Sequence, residues 1–216
     1  EILVCLVGSE MCIRDSKVSN LNLTNELDLL DKHPDLKYLF LPFETSRFIK
    51  KISLNKILRV GHAPTNRFYK GSDHIIRVCQ KLKLEGVIEF DLIENVSNRI
   101  ALKRKSKLDI FIDQIGNKGG WGYGMNSIES LSMGVCTLTE MNQSYENFIN
   151  DHPFINVNEK SLEAELRDLI KDPDSILLRG SEGGNWVNKH HAIDKVADEL
   201  YNCLLYTSPS PRDTRE

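Results

Sequence analysis

From Ile57 onward, short runs of apolar and β-branched residues alternate with stretches at helical spacing. This alternation constrains the fold more than any other feature, because it is the pattern of a parallel sheet covered by helices. Ile57–Gly61 (ILRVG) reads as the first strand and Val87–Ile93 as the second. Leu108–Ile115 (LDIFIDQI) reads as the third, Val135–Thr139 as the fourth and Phe154–Val157 as a short fifth. Between them, Ser72–Leu82 places Ile75, Ile76, Val78, Cys79 and Leu82 at helical spacing. Ser97–Lys107 reads as a basic amphipathic helix with Ile100 and Leu102 inward. Further helices are predicted over Asn126–Met133, over Glu159–Ile170, and near Asp174–Lys189 and Ala192–Tyr201. The predicted class is α/β, a Rossmann-like open parallel sheet with helices on both faces and the first strand near the middle. Ahead of Ile57 the pattern is weaker: Leu21–Asp31 reads as a short helix, Tyr38–Leu41 as an isolated strand and Glu44–Asn55 as a linker.

The two ends follow a different logic. Codons can be chosen so that EMCIRDS (Glu10–Ser16) is the inverse complement of CLLYTS (Cys203–Ser208), and the pairing continues outward from there into both ends. The string resembles a transposase adapter of the kind joined to DNA fragments before sequencing. Residues 1–16 and 203–216 are therefore expected to be adapter-derived and to add nothing to the core. Residues 17–55 are expected to be the tail of a preceding domain with its linker, and 56–202 one Rossmann-like α/β domain.

Without those ends, 25 basic residues face 26 acidic ones, a balance that suggests neither a nucleic-acid footprint nor a polybasic membrane anchor. Only Cys79 and Cys136 remain among the cysteines, each inside an apolar run. A disulfide framework or zinc site is not expected, and a reducing cytosol is. No apolar run approaches the length of a bilayer span.

Ligands in open parallel sheets bind at the carboxyl ends of the strands. Two loops suit that use. Gly61–Gly71 (GHAPTNRFYKG) offers Arg67 and Lys70 just before a helix, whose free N–H groups favour anions. Gly116–Gly124 holds Gly119, Gly120, Gly122 and Gly124, which let backbone N–H groups approach a ligand closely. Glu129 follows about one and a half turns into the next helix, where a carboxylate can accept two hydrogen bonds from a ribose diol. Trp121 and Tyr123 either stack on a sugar or base or simply cover the loop.

HAPTNRFYKGSD at His62–Asp73, followed by DIFIDQIGNKGGWGYGMNSIESLSMG at Asp109–Gly134, resembles the C-terminal domain of retaining GT-B glycosyltransferases of the group 1 or family 4 kind. The resemblance implies that Lys70-Gly71 contacts the diphosphate of a nucleotide-sugar and Glu129 its ribose. His62, Asn66, Arg67, Gly122, Tyr123, Gly124 and Met125 would complete the donor site. The sequence departs from that family's pattern at Trp121, where a second Glu is common, and at Cys136 and Thr137, where a small residue and Pro are usual. The implied substrate is a UDP- or GDP-linked sugar, with no cofactor and no metal; Lys70, the helix dipole and loop N–H groups would stabilise the departing diphosphate. The implied acceptor is a glycan, lipid or small molecule held by another domain, so that this fragment is expected to be inactive alone. The complete protein is expected in the cytoplasm or peripheral to a membrane.

A nucleotide-sugar epimerase of the same architecture is an alternative. Asp113, at the end of the third strand, raises a more distant one, a receiver-like signalling module. His190 and His191 are expected at the surface.

Overall fold

The computed structural model describes residues 4–6, 21–32, 35–116, 118 and 122–207. Expectations for Gly119, Gly120 and Trp121, and for most of the two adapter-like ends, lie outside them. The chain divides into two compact units: the residues up to Glu44 together with those from Lys189 on, and Thr45–Asn188.

In the first unit, β1 (Val4–Leu6), β2 (Leu21–Thr24) and β3 (Leu36–Tyr38) form a parallel sheet in the order β1-β2-β3. β2 replaces the expected helix over Leu21–Asp31. All four of its residues are buried between two hydrogen-bonded neighbours, an environment that outweighs local propensity, and only Leu27–Lys32 turns as a 3-10 helix. The strand expected at Tyr38–Leu41 ends instead at Tyr38. Val4–Leu6 lies in the segment read as adapter, yet it supplies the edge strand; a short apolar run pairs with an open sheet edge whatever its origin. The closing helix, Ile193–Thr207, buries Val196 and leaves Leu205 exposed.

His191 is not the surface residue expected. It is 1% exposed, its Nδ1 bonds the Leu41 carbonyl at 2.8 Å, and Phe40 packs edge-on against its ring. Burial lowers its pKa to about 4. Beside it, Phe43 forms a parallel bridge with Ala192, and the Phe43 N–H donates to the His191 carbonyl at 2.7 Å.

The second unit is a five-stranded parallel sheet. Its strands are β4 (Arg59–His62), β5 (Glu89–Leu92), β6 (Ile110–Ile112), β7 (Cys136–Thr139) and β8 (Ile155–Asn156), in the order β5-β4-β6-β7-β8. The expected first strand is thus an inner strand, next to the central one. The helices are α1 (Ser72–Leu84), α2 (Asn98–Lys105), α3 (Met125–Ser132), α4 (Gln143–Phe148), α5 (Leu162–Lys171) and α6 (Pro173–His190). In β6 the alternation of the pleat is visible residue by residue: Ile110 and Ile112 pack with α1 and α5, whereas Phe111 packs with Met133 and the α2 residues Ala101 and Leu102. Helices therefore cover both faces, as the strand pattern predicts.

Two local readings change. α2 turns Lys105 inward rather than Ile100, which is 47% exposed. The helix is only eight residues long, and its inward stripe is Ala101, Leu102 and Lys105. α4 was not anticipated, although the side chain of Asn142 caps it by accepting from the Tyr145 N–H at 2.9 Å. The expected linker is partly ordered on this unit: the Lys51 N–H donates to the Met133 carbonyl, and Asn55 bonds Asp109. Among the described residues, no helix is long and apolar enough to cross a membrane.

Candidate functional site

The strand order reverses direction between β4 and β6, which start neighbouring crossovers to opposite sides. In doubly wound sheets the crevice beyond the carboxyl ends of two such strands is where ligands bind. The two loops singled out in the sequence leave from these ends and touch each other. The Ile115 N–H donates to the Lys70 carbonyl at 3.3 Å. Gly71, at φ 62°, brings its backbone so close to Ile115 that a Cβ would lie 2.2 Å from the Ile115 oxygen.

Lys70 is held at this junction. Its ammonium donates to Asp113 Oδ1 at 2.6 Å and to Gln114 Oε1 at 2.9 Å. Asp113 Oδ2 accepts from the Ser127 hydroxyl at 2.7 Å and from the Gly124 N–H at 3.3 Å. Burial opposes ionisation of Asp113, but the charge of Lys70 and the hydrogen bonds from Lys70, Ser127 and Gly124 outweigh it and hold its pKa below the ordinary value. Both of its oxygens are engaged and the residue is 1% exposed, an arrangement unlike an accessible phospho-acceptor.

Beside this cluster lies a cavity of about 650 Å³, lined among others by Ala63, Arg67, Glu94, Lys105, Asn126 and Glu129. Arg67 grips Glu94 through two nitrogens, with Nε 2.7 Å from Oε1, and this bond holds the Glu94 carboxyl below its usual range. Lys105, 1% exposed, donates to both Asn126 Oδ1 and Glu129 Oε2 and lies 5.3 Å from the centre of the Phe111 ring. The Asn126 amide in turn donates to the Ala63 carbonyl at 2.9 Å.

Of the residues expected at the site, Arg67 and Glu129 line the cavity, while Lys70 and Gly124 meet next to it at the start of α3. Asn66 accepts from the N–H groups of Phe68 and Tyr69, which shapes the loop. Gly122 is pressed against the Tyr145 ring, and its carbonyl accepts from Gln114 and Thr139. Met125 begins α3 and is 41% exposed. Tyr123 packs against Phe154 and Trp186, with ring centroids at 4.9 and 5.4 Å.

His62 stands apart from the others. It is fully buried; its Nδ1–H donates to the Ile112 carbonyl and its Nε2 accepts from the Ser72 hydroxyl, each at 2.8 Å. Burial lowers its pKa to about 4, so the ring is neutral and ties β4 to β6 and α1.

Sequence reasoning missed Lys105, Glu94 and the anchoring role of Asp113. Lys105 sits in a basic run, Lys103–Lys107, that reads as a solvated face. Among the described residues, no group of three or more His, Cys, Asp or Glu side chains is placed to hold a metal.

No family model matches the chain, and no curated protein does. Solved structures do. Anabaena Alr3699/HepE, in complex with UDP and glucose, matches with a TM-score of 0.70 at 10% identity, over 94% of this chain and 71% of that one. S. aureus TarM, as a mutant in complex with fondaparinux, alpha-GlcNAc-glycerol and UDP, matches with a TM-score of 0.61 at 14% identity, over 90% of this chain and 45% of that one. Sucrose-phosphate synthase from Thermosynechococcus elongatus gives a TM-score of 0.67 at 11% identity, over 93% of this chain and 63% of that one. At such identities the likeness establishes the fold, and the fold of this chain matches the Rossmann-like domains of GT-B proteins.

Proposed function

We propose that the chain binds a nucleotide-sugar as the donor half of a glycosyltransferase that transfers the sugar with retention and without a metal. One observation carries this reading: the Glu129 carboxylate lines a cavity at the reversal of strand order, one helical turn from the cluster that anchors Lys70. In this reading the nucleoside occupies the cavity with its ribose on Glu129. The diphosphate then lies at the amino end of α3, near Lys70 and the Gly124 backbone. There a fixed ammonium and helix N–H groups stabilise the charge that develops on the leaving group, and they need no reorganisation to do so. UDP in the HepE and TarM complexes supports a uridine diphosphate-linked sugar within the proposed class of UDP- or GDP-linked donors.

The test is calorimetric titration of UDP, GDP and their glucose and mannose conjugates into the chain, Lys70→Ala and Glu129→Ala at fixed salt. Lys70→Ala is expected to lose about 1.5–3 kcal/mol of binding, the range for a hydrogen bond to a charged group. Glu129→Ala is expected to weaken binding and, because it leaves Lys105 without its carboxylate, to lower stability without abolishing the fold. Binding unchanged in both variants overturns the assignment. Affinity that disappears with a chelator overturns metal independence alone.

A further inference from the structure

We infer that Lys105 is a positioning residue of the candidate nucleotide site, one that presents Glu129 to the ribose and so sets the preference for ribose over 2′-deoxyribose. The inference rests on the donor-site reading of Glu129 given above. Lys105 is on α2, whereas Glu129 and Asn126 are on α3, so its ammonium joins two walls of the cavity. A lysine that is 1% exposed is costly to hold unless its charge is met, and here it is met by the Glu129 carboxylate and the Asn126 amide oxygen, both on α3. The Phe111 ring packs on the ammonium from another side, which fixes its position further.

The geometry divides the carboxylate between two tasks. Glu129 Oε2 is engaged by Lys105, which leaves Oε1 to accept from a ligand in the cavity. The Asn126 amide is oriented at both ends, its oxygen by Lys105 and its nitrogen by the Ala63 carbonyl. An ion pair presents this acceptor without adding net negative charge beside a diphosphate, which a lone carboxylate would do. A vicinal diol is the group such a pre-aimed oxygen recognises, and loss of the 2′-hydroxyl removes one of its donors.

Titration of UDP, GDP and their 2′-deoxy counterparts into the chain, Lys105→Met, Lys105→Arg, Glu129→Ala and Lys105→Met/Glu129→Ala tests this. The wild-type chain is expected to favour the ribonucleotide about tenfold, the effect of one hydrogen bond. In Lys105→Met that ratio falls toward one, whatever the unpaired Glu129 carboxylate does to overall affinity for the diphosphate. Lys105→Arg retains part of the ribose preference, and Lys105→Met adds nothing in the Glu129→Ala background. Should Lys105→Met fail to fold, Lys105→Gln is read in its place. A wild-type ribose preference that survives in Lys105→Met or Lys105→Gln overturns the inference and leaves the donor-site reading standing. A wild-type chain that binds neither UDP nor GDP overturns that reading, and this inference with it.

Discussion

The ammonium of Lys70 lies 2.6 Å from the carboxylate of Asp113, joining the loop after β4 to the end of β6 where the strand order reverses. Arg67 with Glu94 and Lys105 with Glu129 are matched in the same way. These cations are therefore held in place by local carboxylates, so an anion bound as proposed would meet fixed donors rather than a diffuse positive patch.

Asp113→Ala removes the acceptor of the Lys70, Ser127 and Gly124 donors at once. Breaking a buried pair on one side costs about 3–5 kcal/mol, and chemical denaturation is expected to show a loss of that order. Because the folded pKa of Asp113 is depressed, its contribution to stability is full above the ordinary carboxylate range and is lost as pH falls through the lower folded value. The acid limb of a stability–pH profile in wild type should be steeper than in Asp113→Asn.

Glu94→Gln releases Arg67 from an exposed pair. Such pairs contribute about 0–1 kcal/mol, so the melting point should barely move. Pyrophosphate or UDP affinity at low salt is expected to rise about threefold, since one unit of negative charge a few ångströms away has been removed. Unchanged affinity would place the anion far from Arg67.

His62 gives the second unit a distinct pH dependence. Its folded pKa, about 4, lies below the ordinary 6.5, so the unfolded chain binds more protons between those values. The stability it contributes is full above pH 6.5 and falls as pH drops toward 4, by about 3 kcal/mol in all. His62→Gln, which keeps a donor and an acceptor, should flatten that part of the profile. An identical slope in both proteins would exclude the buried neutral ring.

Gly71→Ala meets two obstacles: a left-handed backbone at φ 62° and a backbone oxygen 2.2 Å from the new Cβ. The first alone costs about 1–2 kcal/mol. Separation of the two loops should add to this, so nucleotide binding and denaturation midpoint are expected to fall together.

Both ends are proposed to be adapter-derived, and the C-terminal one, residues 203–216, to be dispensable. A chain ending at Asn202 removes an exposed Leu205 and is expected to melt within about 2 °C of the full chain, as a change of well under 1 kcal/mol would dictate. A large drop would show that the last helical turn packs productively.

Strand and helix positions from Ile57 on were legible because their signals are local. A buried strand shows as a short apolar run, and α1 and α5 repeat their apolar residues at helical spacing. Lys70, Gly71 and Glu129 were legible for the same reason, since each occupies a set distance from a strand end or helix start. Leu21–Thr24 was misread because LNLT suits either state, and only neighbours on both sides make it a strand. Lys105 and His191 were misread because the sequence shows residue type, not the side from which a residue is covered. The sequence by itself determined the order of elements from Ile57 on, α4 excepted, and the chemistry available in the two loops. Tertiary structure alone decided which cation meets which carboxylate, as Lys70 and Asp113 are 43 residues apart, and which polar side chains are buried. Periodicity acts over one or two turns, whereas pairing and burial depend on contacts that exist only once distant strands have come together.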